Sequence, residues 1–387
     1  MKITYINRIF DGHEVEAEIS VYSIPGKVSE YHVMLHGRNN LLSYNEQLHH
    51  ILGAYKTLLT TGINNDKVVP VLTRYFLSDA ANQSGLLHRS LTELPPAAVS
   101  VVQQPPVDGT KISMWIYLLS NAVDMAVSDT FFSVSHNSYV HYWTGNRKIA
   151  SGNSETQTLQ LLEQYEQDLA KVNNTISANC IRTWFFVQNV DVNYMGLVKA
   201  RRENFTRVGL TEKTHYITST GIEGRDADPA VHVLLDAYAV NGIDPRQVNY
   251  LYALTHLSPT NVYGVTFERG VSVTYGDRKQ LYISGTASIN DKGEVLHVGD
   301  VVKQTYRMWE NVGELLREGG ATFSDLAQII VYLRDASDYA LVQPLFKEHF
   351  SGVPIQFVLA PVCRPTWLIE MECIAIIDSG NPEFDDF

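Results

Sequence analysis

The sequence predicts an α+β protein made of three tandem β-β-β-α-β-α-β-β units that close on one another as an intrachain pseudo-trimer. Three observations predict this. The last third of the chain alternates strand-period and helix-period apolar patterning in that order. The first and middle thirds repeat the order. Each unit places both helices on one sheet face, and three such units bury their bare faces against each other. A chain of 387 residues is long enough for this arrangement.

In the first unit, alternation predicts strands over 3–6, 15–21 and 31–36, and helical spacing predicts a helix over 44–61. A strand over 68–76, a helix over 80–91 and strands over 98–102 and 111–119 follow. The second unit has a strand at 139–143. Ser154-x-x-Gln157 then reads as a capping box ahead of Leu159, Leu162, Leu169 and Val172. A strand at 181–187, a helix at 193–208 and strands at 216–219 and 231–240 complete it. The third unit opens with strands at 267–275 and 281–289 and a short strand near 295–297. Its first helix starts at Asp300, carries Val302, Tyr306, Trp309, Val312 and Leu316 at helical spacing, and ends at Gly319-Gly320. A strand at 328–333, a helix at 338–350 and strands at 354–359 and 367–377 close the chain. Tyr75-Phe76-Leu77-Ser78-Asp79 parallels Tyr332-Leu333-Arg334-Asp335, and Thr175-Ile176-Ser177 parallels Thr322-Phe323-Ser324. The expected units are 1–122, 123–250 and 251–380, followed by an acidic tail, 381–387, expected to be loose.

Composition excludes several functions. Hydrophobic residues make up 45% and charged residues 19%, which is ordinary for a globular chain. The net charge of −12 argues against a nucleic-acid backbone binder, though not against a local basic pocket. Cys180, Cys363 and Cys373 have no metal or disulfide-framework spacing, so a reduced, cytoplasmic setting is expected. No run of 18 apolar residues predicts a membrane span, and the first residues carry no signal-peptide pattern. His49-His50 lacks a third ligand at metal spacing. No G-x-S-x-G, Walker A or G-x-G-x-x-G motif occurs, so neither metal nor cofactor is expected.

The stretch with most chemistry is 361–377. A turn carries Cys363 and Arg364. The strand after it carries Glu370 and Glu372 in an otherwise apolar run. Residues two apart share a strand face, about 7 Å apart. Charges on such a strand are paired, hydrogen-bonded or used. A purely structural reading pairs the two glutamates with arginines across a unit interface, and makes Cys363 a small buried residue. The repeat bears on this choice. The first unit has Pro106-Val107-Asp108-Gly109 and the Met114-Trp115-Ile116 region at the matching places. The second has Arg225 and Asp236 at approximate equivalents. Only the third copy carries the whole set, so one functional cleft is expected, between the second and third units.

The segments 281–289, 332–335 and 368–375, with Asn311, resemble the YjgF/RidA family. That family forms homotrimers of one such unit with clefts between subunits. A narrower resemblance, to FkbO-type chorismatases, rests on four stretches. These are 194–205 with Arg201-Arg202, Ser219-Thr220-Gly221-Ile222, the run from Tyr263 to Gly270, and Cys363-Arg364 with Glu370. It implies a lyase or hydrolase that protonates and cleaves the enolpyruvyl ether of chorismate or a similar cyclic carboxylate, releasing pyruvate. It implies catalytic roles for Glu370, Arg364 and Cys363, and substrate contacts from Tyr263, Arg269, Thr220, Gly221, Ala287 and Arg202. Thr220-Gly221 would serve as a turn offering N–H groups to a carboxylate. The alternatives are an imine or enamine deaminase like the single-unit members, and a non-catalytic small-anion binder. The short spacing from Arg364 to Glu370 favours the chorismatase-like arrangement. The expected partner is a small carboxylate, with no nucleic acid or membrane, and the chain is expected to be a monomer or weak homo-oligomer. An acid at Glu370 needs a raised pKa. Burial would supply it and Arg364 would oppose it.

Overall fold

The computed structural model describes residues 2–64, 66–121 and 124–387, apart from the side chain of Tyr263. Its first unit runs β1 (Thr4–Phe10), β2 (Val15–Tyr22), β3 (Ser29–Gly37), α1 (Tyr44–Thr61), β4 (Val69–Leu77), α2 (Ala80–Leu91), β5 (Ala98–Gln103) and β6 (Ile112–Ser120). The second runs β7 (Asp124–Val127), β8 (Phe132–His136), β9 (Tyr139–Lys148), α3 (Ser154–Lys171), the single turn α4 (Ile176–Asn179), β10 (Cys180–Val187), α5 (Val190–Arg207), β11 (Thr218–Glu223) and β12 (Val233–Asn241). The third runs β13 (Val248–Leu251), β14 (Gly270–Thr274), β15 (Lys279–Ala287), α6 (Val301–Glu318), β16 (Leu326–Leu333), α7 (Tyr339–His349), β17 (Ile355–Leu359) and β18 (Ile369–Ile377).

The three six-stranded sheets share one topology. Their orders are β1-β2-β3-β6-β4-β5, β7-β8-β9-β12-β10-β11 and β13-β14-β15-β18-β16-β17. In each, only the last pair is parallel, joined by the crossover helix α2, α5 or α7. The three-unit α+β architecture is therefore as the sequence predicts. The helix-free sheet faces meet in a common core. Trp115 meets Trp184 with rings 6.3 Å apart, and Tyr238 meets Tyr282 at 5.7 Å. Each interface also buries one ion pair. These are Arg74 to Asp236 at 2.9 Å, Arg182 to Glu372 at 2.8 Å and Arg278 to Glu30 at 2.9 Å. A buried guanidinium and carboxylate tolerate each other only in good geometry, so these pairs fix how the units dock.

Several expectations are corrected. The short strand near 295–297 does not form. Asn290 Oδ1 accepts from the N–H groups of Lys292 and Glu294, and this turn leaves a single bridge from Ile289 to Val295. The missing strand is β13, upstream, which straddles the expected 250/251 division; we propose that the third unit begins ahead of Val248. The expected 122/123 division lies outside the described residues. β7 escapes the patterning because it is exposed throughout, whereas β8 does alternate and the sequence reading passes over it. The capping box at Ser154 does not form either. Asn153 caps α3 through Thr156 N, and the Gln157 side chain instead accepts from His232 N at 2.7 Å. The acidic tail is docked rather than loose. Asp386 pairs with Lys27 of the first unit, Asn137 of the second donates to Asp386 O, and Gly276 N of the third donates to Asp385 O. Phe387 is 2% exposed among His136, His141 and Tyr275, with the Arg278 guanidinium 4.8 Å from its ring.

Candidate active site

Where β11 of the second unit runs beside β15 of the third, a cavity of about 310 Å³ opens under α5. Helical spacing puts Leu197, Arg201, Asn204 and Phe205 on the buried face of α5, so Arg201 points inward. Its Nε donates to Thr266 Oγ1 at 3.3 Å and its Nη1 to Ser219 Oγ at 3.4 Å. Arg202 falls on the next face, is exposed, and donates to Gly264 O at the cavity rim. Arg269 and Arg364 complete a set of four guanidiniums on the lining. Each of these two sits by an aromatic ring, Arg269 at 5.5 Å from Phe267 and Arg364 at 5.0 Å from Trp367.

Glu370 enters from β18, paired with Ala287 on one side and Tyr332 on the other. It is 6% exposed and lines the cavity. A bulge in β15 between Ile283 and Thr286 makes room for it. Gly285 lies in that bulge, and a Cβ there would stand 2.1 Å from Glu370 Oε1. The glycine is thus required by the close approach of the carboxyl group. Gly285→Ala is expected to displace that carboxyl, costing about 1–3 kcal/mol of stability and about 100-fold in turnover; urea denaturation and steady-state rates check it.

Glu372, on the same strand face, does something different. It accepts from Arg182 Nη2 at 2.8 Å, Trp184 Nε1 at 2.8 Å and Thr220 Oγ1 at 2.5 Å, all from the second unit. Burial pushes the Glu370 carboxyl up to about 8, and the neighbouring charge of Glu372 adds to the rise. Arg269 and Arg182 pull it down, but by less. Burial thus outweighs the opposing cations Arg269 and Arg182. Burial pushes the Cys363 thiol up to about 12, with Glu370 contributing, so the sulfur is a neutral thiol at physiological pH. It lines the cavity with a hydrogen bond to Tyr194.

The cavity gathers Glu370, Arg364, Cys363, Arg269, Gly221, Ala287 and Arg202 from the residues singled out in the sequence. Thr220 is not among them. Thr218–Glu223 is a strand rather than a turn, and strand alternation turns the Thr220 hydroxyl to Glu372 while its neighbours Ser219 and Gly221 face the cavity. The Tyr263 side chain lies outside the described residues; its backbone ends a 3-10 turn, and the next residue, Gly264, lines the cavity. Tyr194, Arg201 and Phe267 lie in the stretches that carry the chorismatase resemblance, yet sequence reasoning gives them no individual role, and it gives Trp367 none either. The 3.6-residue spacing from Leu197 could have chosen Arg201 over Arg202.

The two other clefts lack this set. Matching the strand ladders at their ends, Leu77 to Ile112, Val187 to Val233 and Leu333 to Ile369, puts Ser113 and Leu234 at the place of Glu370. Trp115 and Asp236 take the place of Glu372. Asp236 therefore corresponds to the interface glutamate, and pairs with Arg74 as Glu372 pairs with Arg182. At the first interface Gly145 leaves no space beside it, since a Cβ would meet Val99 O at 2.4 Å. Among the described residues no cluster of His, Cys, Asp and Glu has a metal-binding arrangement, and no helix is long and apolar enough to cross a membrane.

Residues 270–377 match the family model described as Endoribonuclease L-PSP. A RutC family protein of Pyrococcus abyssi is 35% identical over 98 residues, which are 24% of this chain and 76% of that protein. The 3-aminoacrylate deaminase RutC of Acinetobacter baylyi is 29% identical over 97 residues, 24% of this chain and 77% of the relative. The fold is similar to that of a chorismatase crystal structure, with a TM-score of 0.63 at 16% identity, covering 81% of this chain and 94% of that one.

Proposed function

This chain belongs to the RutC family, within the YjgF/RidA superfamily of Endoribonuclease L-PSP proteins, and from that premise we propose that it is a chorismatase-like lyase or hydrolase. The substrate is chorismate or a similar cyclic dicarboxylate enol ether. One observation carries the reading. A buried carboxyl, held near pKa 8 and so largely protonated at neutral pH, faces a cavity that four arginines line. Arginines bind carboxylates through paired N–H donors, so Arg364, Arg269 and Arg201 suit a dianionic substrate. Glu370 gives its proton to the terminal methylene carbon of the enol ether. The ether carbon becomes an oxocarbenium ion, which the ionised Glu370 stabilises. Water adds to that carbon and returns a proton to Glu370. The resulting hemiketal collapses to pyruvate and the ring alcohol. Cys363, beside Glu370, shapes the space next to the reacting carbon. Support also comes from the fold shared with a chorismatase across most of the chain.

A deaminase is the second reading, favoured by the similarity of the third unit to 3-aminoacrylate deaminase RutC. An enamine also reacts by protonation at carbon, so the same acid would serve. Purified protein with chorismate, followed by a coupled lactate dehydrogenase assay, tests the choice. Pyruvate release that depends on Glu370 is expected. Ammonia from in-situ 3-aminoacrylate without pyruvate from chorismate would move the assignment to the deaminase.

A further inference from the structure

A second cavity, about 590 Å³, lies on the far side of the segment 259–265. Pro259, Thr260, Asn261 and Val262 form its wall, whereas Gly264 and Val265 line the first cavity. Arg269 borders both. Its Nη2 donates to Ser258 O at 3.1 Å, which holds the guanidinium in the partition between the two spaces. The second cavity is built, not just a surface dip. Ser258 is 1% exposed, lines it, and has a hydroxyl with no hydrogen-bond partner among the described residues. Glu268 is 6% exposed and lines it too, with Oε1 accepting from Tyr216 N at 2.6 Å. Two tyrosine rings, Tyr216 and Tyr252, supply flat apolar surface, and Glu212 and Lys213 line it as well. A buried hydroxyl without a partner costs stability, so its retention beside a cavity points to a ligand that completes it.

These groups demand three things of an occupant. The rings favour a flat six-membered ring. Arg269 and Lys213 favour one carboxylate on it. Ser258 and the carboxyl of Glu268 favour hydroxyls that donate and accept. We infer that this compartment is a second binding site, separate from the cavity at Glu370, for a hydroxylated ring carboxylate. The inference goes beyond the proposed reaction and does not need that reaction to be correct. The arrangement in which one arginine divides the two spaces places this ligand within reach of the first cavity.

The test is calorimetric titration of the full chain with 3,4-dihydroxybenzoate, in parallel with benzoate. Wild type is expected to bind two equivalents of the dihydroxy acid. Ser258→Ala and Tyr252→Ala should each weaken one class of sites at least tenfold and leave the other unchanged. Arg364→Ala should weaken only the other class. Benzoate should bind once, since it offers nothing to Glu268 or Ser258. Ser258→Ala removes an unpartnered hydroxyl and is expected to fold as wild type, which circular dichroism checks. A single class in wild type that Arg364→Ala abolishes would overturn the inference. So would a second class that neither the Ser258 nor the Tyr252 variant alters.

Discussion

Glu370→Gln is expected to lower pyruvate release from chorismate by about 10²–10⁴, the usual contribution of a positioned general acid, while making the protein more stable at alkaline pH. The two effects share one cause. The folded-state pKa of Glu370 is about 8 against an ordinary value of 4.5, because burial and Glu372 penalise its charged form. The folded state therefore binds more protons than the unfolded state between those two values. Its stability falls as pH rises through that window, and the whole penalty is present above pH 8. At about 1.4 kcal/mol per pKa unit, glutamine removes a penalty on the order of 3–5 kcal/mol above pH 8 and almost nothing below pH 4.5. Wild-type turnover should fall with an alkaline limb near pH 8, since the acid must be protonated to act. Urea denaturation at pH 5 and pH 9, with a pH–rate profile, checks both halves. A purely structural glutamate would give the opposite stability change, because its loss would leave donors unsatisfied.

The fold was legible in the sequence because the helix and strand periods repeat three times, so weak signals in one copy are supported by the others. What stayed illegible has local causes. β13 is a four-residue strand beside a long loop, and β7 is exposed along its whole length, so neither carries a burial pattern. The tail reads as acidic and loose, yet Phe387 finds a pocket of histidine, tyrosine and arginine that two distant segments build together. The candidate site was legible in the turn and strand of the third unit, where chemistry-bearing residues are sequence neighbours. It was less legible across the interface. Naming Arg202 without Arg201, and expecting a turn at Thr220-Gly221 where a strand runs, both come from not knowing which face of an element meets the other unit.

That interface is where the second large effect is expected. Arg182→Met should cost about 3–5 kcal/mol of stability, because it leaves Glu372 buried with only the Trp184 and Thr220 donors. Glu372→Gln should cost a similar amount by leaving Arg182 buried without its carboxylate partner. The two variants should separate in the pH profile. Arg182 pulls the Glu370 pKa down, so removing it should carry the alkaline limb of turnover to higher pH. Glu372 pushes the Glu370 pKa up, so neutralising it should carry the limb to lower pH. The double variant should recover much of the lost stability, since methionine and glutamine leave no unpaired charge. Equal stability losses with opposite shifts would identify the pair as the device that docks the second unit on the third and sets the proton affinity of Glu370. If both limbs stayed near pH 8, the pair would hold the interface and nothing more. The comparison at the first interface sharpens the point. Arg74 and Asp236 dock the first unit on the second in the same way, beside Leu234 in place of the acid. Arg74→Met should therefore cost about 3–5 kcal/mol as well, yet leave the pH profile unmoved.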